Sequence, residues 1–313
     1  MNKKLTTIVI GSRKSPLAKA QVNIFLEVLL KKFGEQIKKK IEVRFFSTKG
    51  DKFLNKNISE IGNKGLFTKE IDEAQLSDEI DIAIHSLKDL PTTLPEELII
   101  AAVLPRGDCK DVIYSINNKD LKNIKRKAII GTSSIRREIQ IKKLRPDLLV
   151  KGIRGNVETR IKKINDGKYD ALILAAAGLK RLGIYKNFHE IDTKTIVPAI
   201  GQGVIAIVAN KKNKRIINIL KKINDRDTFV ESECERIFLK VLDGSCQTPI
   251  GGMAKINTIK GEKKFFFRYM ASSADGKVFI KGKTYFKMSE FRLMSLNLGK
   301  KIKKILSKKT VKI

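Results

Sequence analysis

The sequence has no tryptophan, two histidines and three cysteines in 313 residues, and these shortages exclude several kinds of site. The cysteines, Cys109, Cys234 and Cys246, are widely spaced and odd in number, so a disulfide framework is not expected. With so few histidines and no CxxC motif, no metal site is expected either. This pattern is typical of a reducing, cytoplasmic setting.

Aromatic residues make up only 6% of the chain, which argues against a surface that stacks nucleic-acid bases. No apolar run is long enough to cross a bilayer. The apolar stretch at residues 5–10 is short, is interrupted by threonine and lacks a cleavage site, so it predicts a first strand rather than a signal peptide.

Acidic residues are scarce: Lys and Arg number 65 against 33 Asp and Glu, a net charge of +32. Such an excess points to a polyanionic partner, which could be nucleic acid, an acidic membrane surface or a small molecule with several carboxylates. Most of the excess is lysine mixed with asparagine and isoleucine, as in KKNKRIINILKKIN, and compositional bias alone would produce such runs. The bulk charge therefore does not identify the partner.

Strand-like and helix-like segments alternate through the first two hundred residues, which predicts α/β layers with largely parallel sheets. From about residue 222 a helix, three strand-like runs and a last amphipathic helix follow. That last helix could lie on a membrane, but covering a small sheet is the favoured interpretation. We predict three domains: 1–104 with 199–221 and 105–198 as α/β lobes, and 222–313 as a smaller α+β domain.

Basic residues follow five apolar strand ends, in VIGSRKSP, AIHSLKDLP, IIGTSSIRRE, KGIRGNVETR and LAAAGLKRLG. Open α/β sheets bind ligands at the carboxyl ends of their strands, and the helix N-termini that follow favour anions. A solvated surface charge would explain any one of these cations, but five strand ends agree. Most are arginines, whose planar fork suits carboxylates. The cations are Arg13, Lys88, Arg136, Arg137, Arg154, Arg160 and Arg181.

Two further residues are candidates for chemistry. Asp89 lies among these cations and is expected to stay a carboxylate, suited to holding a cation or N–H donors; a surface pair with Lys88 is the alternative. Cys246 lies in the loop DGSCQTP and is expected to be a reactive thiol. Cys234 is expected to pack in a helix, and His85 to bond the backbone of a turn.

Eight motifs together resemble the porphobilinogen deaminase (hydroxymethylbilane synthase) family over essentially the whole chain. They are SRKSPLA, GNKGLFTKE, HSLKDLP, GTSSIRRE, RGNVETR, AAAGLKRLG, PAIGQG and DGSCQTPIG. The sequence departs from the family pattern at Leu87, usually Met, at Asn63, often Gly, at Lys49, often Arg, and at Asp243-Gly244-Ser245 before the cysteine. None of these changes removes a charged or nucleophilic group that the chemistry needs.

The resemblance implies an α/β fold with two lobes like the type II periplasmic binding proteins, with mixed, largely parallel sheets, and a smaller α+β C-terminal domain. It implies condensation of four porphobilinogen molecules into hydroxymethylbilane with loss of ammonia, in haem biosynthesis. It also implies one dipyrromethane cofactor per chain, joined by a thioether to Cys246. The protein is expected to be a cytoplasmic monomer, with no membrane and no specific nucleic acid as partner.

The resemblance also assigns roles to residues. Asp89 is the expected catalytic group. The expected cofactor ligands are Arg13, Ser15, Lys88, Thr132, Ser133, Arg136, Arg137, Arg154 and Arg160. The expected substrate ligands are Arg13, Arg154, Arg160, Arg181 and Lys64.

Two other functions compete with this one. A non-catalytic two-lobe binding protein for acidic ligands would explain the arginines but not Asp89 or Cys246. A nucleic-acid-binding protein would explain the net charge, but no recognition module supports it.

Overall fold

The computed structural model describes residues 7–48, 50, 65–244, 248–259 and 261–310. The chain divides into two compact units, Met1–Arg106 with Val204–Phe229 and Gly107–Gly203 with Val230–Ile313. The second unit thus contains most of both the predicted second and third domains. The division into three domains stays a prediction.

Thirteen strands in the described residues form three sheets. They are β1 (Ile8–Arg13), β2 (Ile41–Phe46), β3 (Ile82–Ser86), β4 (Leu98–Val103), β5 (Asp111–Ser115), β6 (Ile129–Gly131), β7 (Leu149–Lys151), β8 (Ala171–Ala175), β9 (Phe188–Ile191), β10 (Ile205–Asn210), β11 (Ile250–Ile259), β12 (Glu262–Ser272) and β13 (Phe279–Lys287).

The described α-helices connect or cover these strands. They are α1 (Pro16–Phe33), α2 (Lys69–Leu76), α3 (Ile135–Leu144), α4 (Val157–Asn165), α5 (Ala176–Arg181), α6 (Lys214–Lys221), α7 (Arg226–Val241) and α8 (Phe291–Thr310). Short 3-10 helices span Glu35–Lys40 and Leu87–Asp89. None of the described helices is long and apolar enough to cross a membrane.

The two five-stranded sheets have the same topology. Their strand orders are β2-β1-β3-β10-β4 in the first unit and β7-β6-β8-β5-β9 in the second. In each, the first three strands are parallel and the fourth pairs antiparallel with both neighbours, so four of the five strands run in one direction. The prediction of mixed, largely parallel sheets is therefore confirmed.

Strands at the centre of the first sheet are buried on both faces. Each of the first five residues of β10 is buried, and β3 is buried up to its last residue. One face packs on α1 through Phe25 and Ile84, while the other packs on α2 through Ile71 and Ala83. Strands covered on both faces read as continuous apolar runs, which explains why the sequence signalled them clearly.

Helix starts follow the capping rules. Ser15 caps α1 by accepting a hydrogen bond from the Ala18 amide, and Pro16 occupies the first turn, as the Ser-Pro pair predicts. Asn156 caps α4 in the same way, accepting from the Thr159 amide at 2.9 Å. Both caps lie directly after strand ends, so they fix where each helix starts relative to the candidate site.

The third sheet is antiparallel, with the order β11-β12-β13. One of its faces packs on α7 and α8, and Phe238, Phe265, Phe267, Phe291 and Ile302 are buried there. The last helix therefore covers a small sheet, which confirms that interpretation of its apolar stripe.

Candidate functional site

A small cavity lies at the carboxyl ends of β1 and β3 in the first unit. Its volume is about 40 Å³, and its lining includes Arg13, Ser15, Gln21, Phe67, His85, Ser86 and Asp89. β1 and β3 are neighbouring parallel strands, so their ends meet at one edge of the sheet. The sequence motifs SRKSP and HSLKDLP come together at this edge.

Arg13 lies at the end of β1 with its guanidinium carbon 4.4 Å from the centroid of the Phe67 ring. A guanidinium over an aromatic face is attracted by the ring quadrupole, and the N–H groups at its edge point away from the ring. The GLF motif carried Phe67 in the sequence analysis, but nothing there assigned the ring a role. The ring thus holds the Arg13 guanidinium at the edge of the cavity.

Lys88 and Asp89 are placed by the buried leucines on either side of them. Leu87 and Leu90 are both buried, and the Leu87 amide donates to the Val204 carbonyl at 3.0 Å. Between these anchors Lys88 and Asp89 are half-buried. The Asp89 carboxylate lines the cavity and makes no hydrogen bond or ion pair within the described part of the chain. The alternative of a surface pair with Lys88 is not what the structure shows.

His85 differs from its expected role. It is buried within β3, opposite Ala206 of β10, rather than in a turn. Its Nε2 atom has no hydrogen-bond partner among the described residues. Burial, with a smaller effect of the Arg13 charge, lowers the pKa of His85 to about 4. His85 therefore presents a neutral ring to the cavity at neutral pH.

A buried carboxylate, Asp111, organises the site residues of the second unit. It is fully buried and accepts hydrogen bonds from Arg136 Nη1 at 2.8 Å, from Arg137 Nη2 at 2.7 Å and from Gln202 Nε2 at 2.9 Å. Burial by itself would raise the pKa of Asp111, but the charges and hydrogen bonds of Arg136 and Arg137 hold it well below its usual range. No sequence pattern singled out Asp111.

Arg136 and Arg137 are accordingly inside the unit. Arg136 Nη1 also donates to the Val197 carbonyl at 2.6 Å, and Arg137 Nη1 donates to the Ile173 carbonyl at 2.9 Å. Buried charges are stable in this form only when they are paired and hydrogen-bonded. Two guanidinium groups share one carboxylate, so the cluster retains one positive charge.

Thr132 and Ser133 connect the ends of two strands. Thr132 is buried, and its Oγ1 accepts from the Ser134 amide at 3.2 Å. Ser133 Oγ donates to the Ile153 carbonyl at 2.7 Å and accepts from the Ile153 amide at 2.9 Å. These hydroxyls hold the loop after β6 beside the loop after β7.

Arg154, Arg160 and Arg181 surround the other strand ends of this unit. The Arg154 guanidinium makes no hydrogen bond or ion pair with any described residue, and Arg160 Nε donates to the Gly155 carbonyl at 2.8 Å. Arg181 Nη2 donates to the Gly203 carbonyl at 2.7 Å, and burial lowers its pKa to about 10. In the described residues no carboxylate pairs with Arg181, so it has unused N–H groups for an anion.

Two predicted residues, Cys246 and Lys64, lie outside the described residues. Within the ranges that the structure describes, no group of three His, Cys, Asp or Glu side chains could hold a metal ion.

Comparison with known proteins gave two family matches. Residues 8–218 match the family model described as "Porphobilinogen deaminase, dipyromethane cofactor binding domain", and residues 229–307 match "Porphobilinogen deaminase, C-terminal domain". Curated proteins named porphobilinogen deaminase are similar as well. That of Oceanobacillus iheyensis is 44% identical, covering 80% of this chain and 81% of its own. That of Geobacillus sp. is 42% identical, covering 86% of each.

Solved structures with a similar arrangement are distant. The Bordetella pertussis BvgS VFT2 domain has a TM-score of 0.43 at 12% identity and covers 69% of this chain and 86% of its own. The Escherichia coli aliphatic sulphonate binding protein SsuA has a TM-score of 0.40 at 14% identity, with coverages of 75% and 70%.

Proposed function

Because the chain belongs to the porphobilinogen deaminase family, we propose that Asp89 is its catalytic carboxylate and that its strand-end arginines bind the carboxylates of substrate and cofactor. The reaction joins four porphobilinogen molecules head to tail into hydroxymethylbilane and releases ammonia at each addition. The cofactor is dipyrromethane. The alternative of a non-catalytic binding protein is not favoured.

The cations of the second unit fit a ligand that carries several carboxylates. Every pyrrole ring of substrate and cofactor has an acetate and a propionate group. In the described chain Arg181 has no acid partner, and the Arg154 guanidinium makes no hydrogen bond or ion pair. Arginine binds carboxylates through two parallel hydrogen bonds, so both residues suit this ligand. We assign Arg181 to the substrate, and Arg154 and Arg160 to both ligands.

The buried pair Arg136 and Arg137 takes a different part in this proposal. Their hydrogen bonds to Asp111 occupy much of each guanidinium, while the cluster's remaining positive charge attracts a cofactor carboxylate. Thr132 and Ser133 lie just before α3, whose N-terminus favours an anion. In the first unit Arg13, Ser15 and Lys88 complete the proposed cofactor ligands, and Lys64 the substrate ligands.

The observation that carries the catalytic assignment is the Asp89 carboxylate, which has no partner within the described chain. Porphobilinogen's aminomethyl group is an ammonium at neutral pH, so it leaves as ammonia without a further proton. Departure leaves a positive charge that spreads to the substrate's pyrrole nitrogen. A carboxylate that accepts a hydrogen bond from that N–H stabilises the charge as it develops. When bound, the dipyrromethane supplies the pyrrole with a free α-carbon that receives the substrate unit.

The size of this effect can be approximated from Coulomb's law. A unit charge about 4 Å away contributes about 4 kcal/mol at an effective dielectric constant of about 20. Since about 1.4 kcal/mol corresponds to a tenfold rate change, Asp89 accounts for about a thousandfold in turnover.

Replacing Asp89 by asparagine tests the proposal. Asp89→Asn keeps the shape but removes the charge, so turnover of porphobilinogen should fall about a thousandfold. The melting temperature should stay at the parent value. Asp166→Asn, on the exposed C-cap of α4, is the matched control and should keep full activity. Near-normal turnover in Asp89→Asn would refute the catalytic role.

An intact-mass spectrum of the same denatured preparations tests the cofactor attachment that we propose at Cys246. The parent, Asp89→Asn and Cys109→Ser proteins should each carry the added mass of one dipyrromethane, and Cys246→Ser should not. Retention of that mass in Cys246→Ser would overturn the attachment point. A parent protein that gains no mass even after incubation with porphobilinogen would overturn the enzyme proposal itself.

We also propose that the protein acts as a cytoplasmic monomer. The odd, dispersed cysteines support a reducing compartment. The family resemblance suggests a monomer, and light scattering on the purified protein would measure its mass.

A further inference from the structure

One face of the third sheet is covered at one end only, where Met270 is buried and Lys143 of α3 lies 5.2 Å from the centroid of the Phe279 ring. Successive side chains of a strand point to opposite faces. On β12 Phe265 and Phe267 are buried against α7 and α8, so Lys264, Phe266 and Arg268 point the other way. None of these three is among the buried residues.

The register places like residues opposite one another on this face. Arg268 is opposite Lys283, Phe266 is opposite Tyr285, and Lys264 is opposite Lys287. A pair of aromatic rings thus lies between two pairs of cations. Lys255 of β11 is opposite Phe266 on its other side. We call these residues the basic sheet face: Lys255, Lys264, Phe266, Arg268, Lys283, Tyr285 and Lys287.

Positive charge on the basic sheet face is largely uncompensated. Like charges directly opposite each other destabilise a strand pair. Glu262, at one corner, pairs with Lys264 at 3.1 Å. In the described chain, Lys255, Lys283 and Lys287 have no ion pair, and the Nε atom of Arg268, which is itself buried, has no hydrogen-bond partner. Such a surface is stabilised by a polyanion.

The aromatic pair is accessible between the cations. The Phe266 and Tyr285 ring centroids are 5.3 Å apart with an interplanar angle of 57°, and Tyr285 is 52% exposed. The Arg268 guanidinium lies 5.2 Å from the Phe266 centroid. At the opposite end, Lys281 Nζ donates to the Thr195 carbonyl at 2.9 Å, which bounds the surface on that side.

We propose that the basic sheet face binds single-stranded nucleic acid without sequence preference. Phosphates would contact the two cation pairs, which lie two residues or about 7 Å to either side of the rings, and a base would stack on Tyr285. Single strands are bound in this way because every base has a face that can stack on an aromatic ring. An acidic membrane fits less well, since the exposed ring lies among the cations and membrane contact needs a broad apolar face.

This inference is independent of the proposed enzyme function, and it revises one expectation. Sparse aromatic residues argued against a stacking surface. The strand register brings two aromatic rings from different strands together, so a stacking surface can form even though the chain has few aromatic residues.

Fluorescence anisotropy with labelled oligo-dT and oligo-U, using the full-length cofactor-loaded protein, tests the proposal. Lys283→Gln/Lys287→Gln should weaken binding at least tenfold and reduce the slope of log affinity against log salt by about 1.4, or about 0.7 per lost phosphate contact. Lys31→Gln/Lys32→Gln, on the exposed surface of α1, removes the same charge and should change affinity less than twofold. Tyr285→Leu should weaken binding about fivefold or more with an unchanged salt slope.

The outcomes separate this proposal from its competitors. Equal weakening by the two double variants would show that total charge, and not this face, binds the oligonucleotide. An unchanged affinity in Tyr285→Leu would exclude stacking. Cosedimentation with phosphatidylserine vesicles that oligo-dT does not reverse would assign the face to a membrane. Each result would overturn the proposal; turnover at the parent rate verifies that the variants are folded.

Discussion

Asp89 and Asp111 differ in what surrounds their carboxylates. Asp89 is half-buried and has no partner within the described chain, whereas Asp111 is fully buried and receives hydrogen bonds from two arginines and Gln202. The free carboxylate is available for a ligand, and the saturated one holds its neighbours in place. The same residue type, aspartate, thus has a proposed catalytic role at one position and a structural role at the other, and its hydrogen-bond partners make the difference.

Removing the charge of Asp111 should destabilise the fold. Asp111→Asn leaves two buried guanidinium groups without a counterion, and breaking such a pair lowers the free energy of unfolding by about 3–5 kcal/mol. Urea denaturation at pH 7 measures this loss. Asp147→Asn, which breaks the partly exposed pair with Arg145, is the control and should lower it by about 1 kcal/mol or less.

The same carboxylate gives a direction for acid stability. The pKa of Asp111 is lower in the folded protein than its unfolded value of about 3.9. Its stabilisation is therefore complete above that value and is lost as the pH falls below it. The parent should lose unfolding free energy between pH 4 and pH 3 faster than Asp111→Asn, and parallel curves would contradict this account.

His85 should remain neutral under conditions that protonate an ordinary imidazole. Because its folded pKa is about 4 and its unfolded value about 6.5, the Hε1 NMR signal of His85 should not move between pH 8 and pH 5.5. The chain has two histidines, so His189→Gln leaves one imidazole and assigns the signal. A midpoint near pH 6.5 in that variant would show that the ring is not buried as described.

The lowered pKa of His85 also determines how this residue makes protein stability depend on pH. Between pH 6.5 and pH 4 the unfolded chain binds the His85 proton and the folded chain does not, so the contribution to unfolding free energy falls as the pH is lowered.

Sequence patterns located these residues unevenly. The arginines at strand ends stood out against a lysine background, so their positions were predicted. Asp111 was missed because its role depends on Arg136 and Arg137, which are distant in sequence and reach it only after folding. His85 was expected to bond the backbone of a turn, but it lies in β3, which pairs with β10 through it.

At the scale of elements, local sequence signals predicted where helices begin, whereas the order of strands in each sheet depends on tertiary pairing. The Ser-Pro pair predicted the start of α1, and the apolar stripe of α8 predicted a helix over a sheet. No local signal shows that β10 lies between β3 and β4, because that pairing joins strands about a hundred residues apart.

One glycine in the PAIGQG segment illustrates a constraint on backbone approach. Gly203 has φ of +87°, and a Cβ there would lie 2.5 Å from the Gly107 carbonyl oxygen. The Gly107 amide donates to the Gly203 carbonyl at 3.0 Å, and Arg181 donates to the same oxygen. Any side chain at this position would separate the two segments and displace Arg181.

Gly203→Ala should therefore destabilise the protein more than its backbone angle alone requires. Gly167 also has positive φ, but nothing lies within 4 Å of the position a Cβ would take. Gly167→Ala should lower unfolding free energy by about 1–2 kcal/mol, the left-handed backbone penalty, and Gly203→Ala should lower it further. Equal effects in urea denaturation would show that the close approach is unimportant.

At the scale of the whole molecule, amino-acid composition said less about the binding partners than the positions of particular residues did. The net charge of +32 pointed to polyanions of several kinds, and only the arrangement of particular cations distinguishes them. Arginines at strand ends suit a small carboxylated ligand, while lysines opposite one another on the third sheet suit a chain of phosphates. The sequence alone could not separate these, since cross-strand register is not visible in it.

The position of β10 also has a consequence during synthesis. Among the described strands β4 is an edge strand that pairs with β10, which the ribosome delivers about a hundred residues later. At about 5–20 residues per second, the delay is about 5–20 s. The intervening stretch contains every strand of the second sheet, from Asp111 to Ile191, so that sheet can close first. The N-terminal lobe is translated first, yet its sheet is completed after the second sheet, and β4 lacks its β10 partner during that interval.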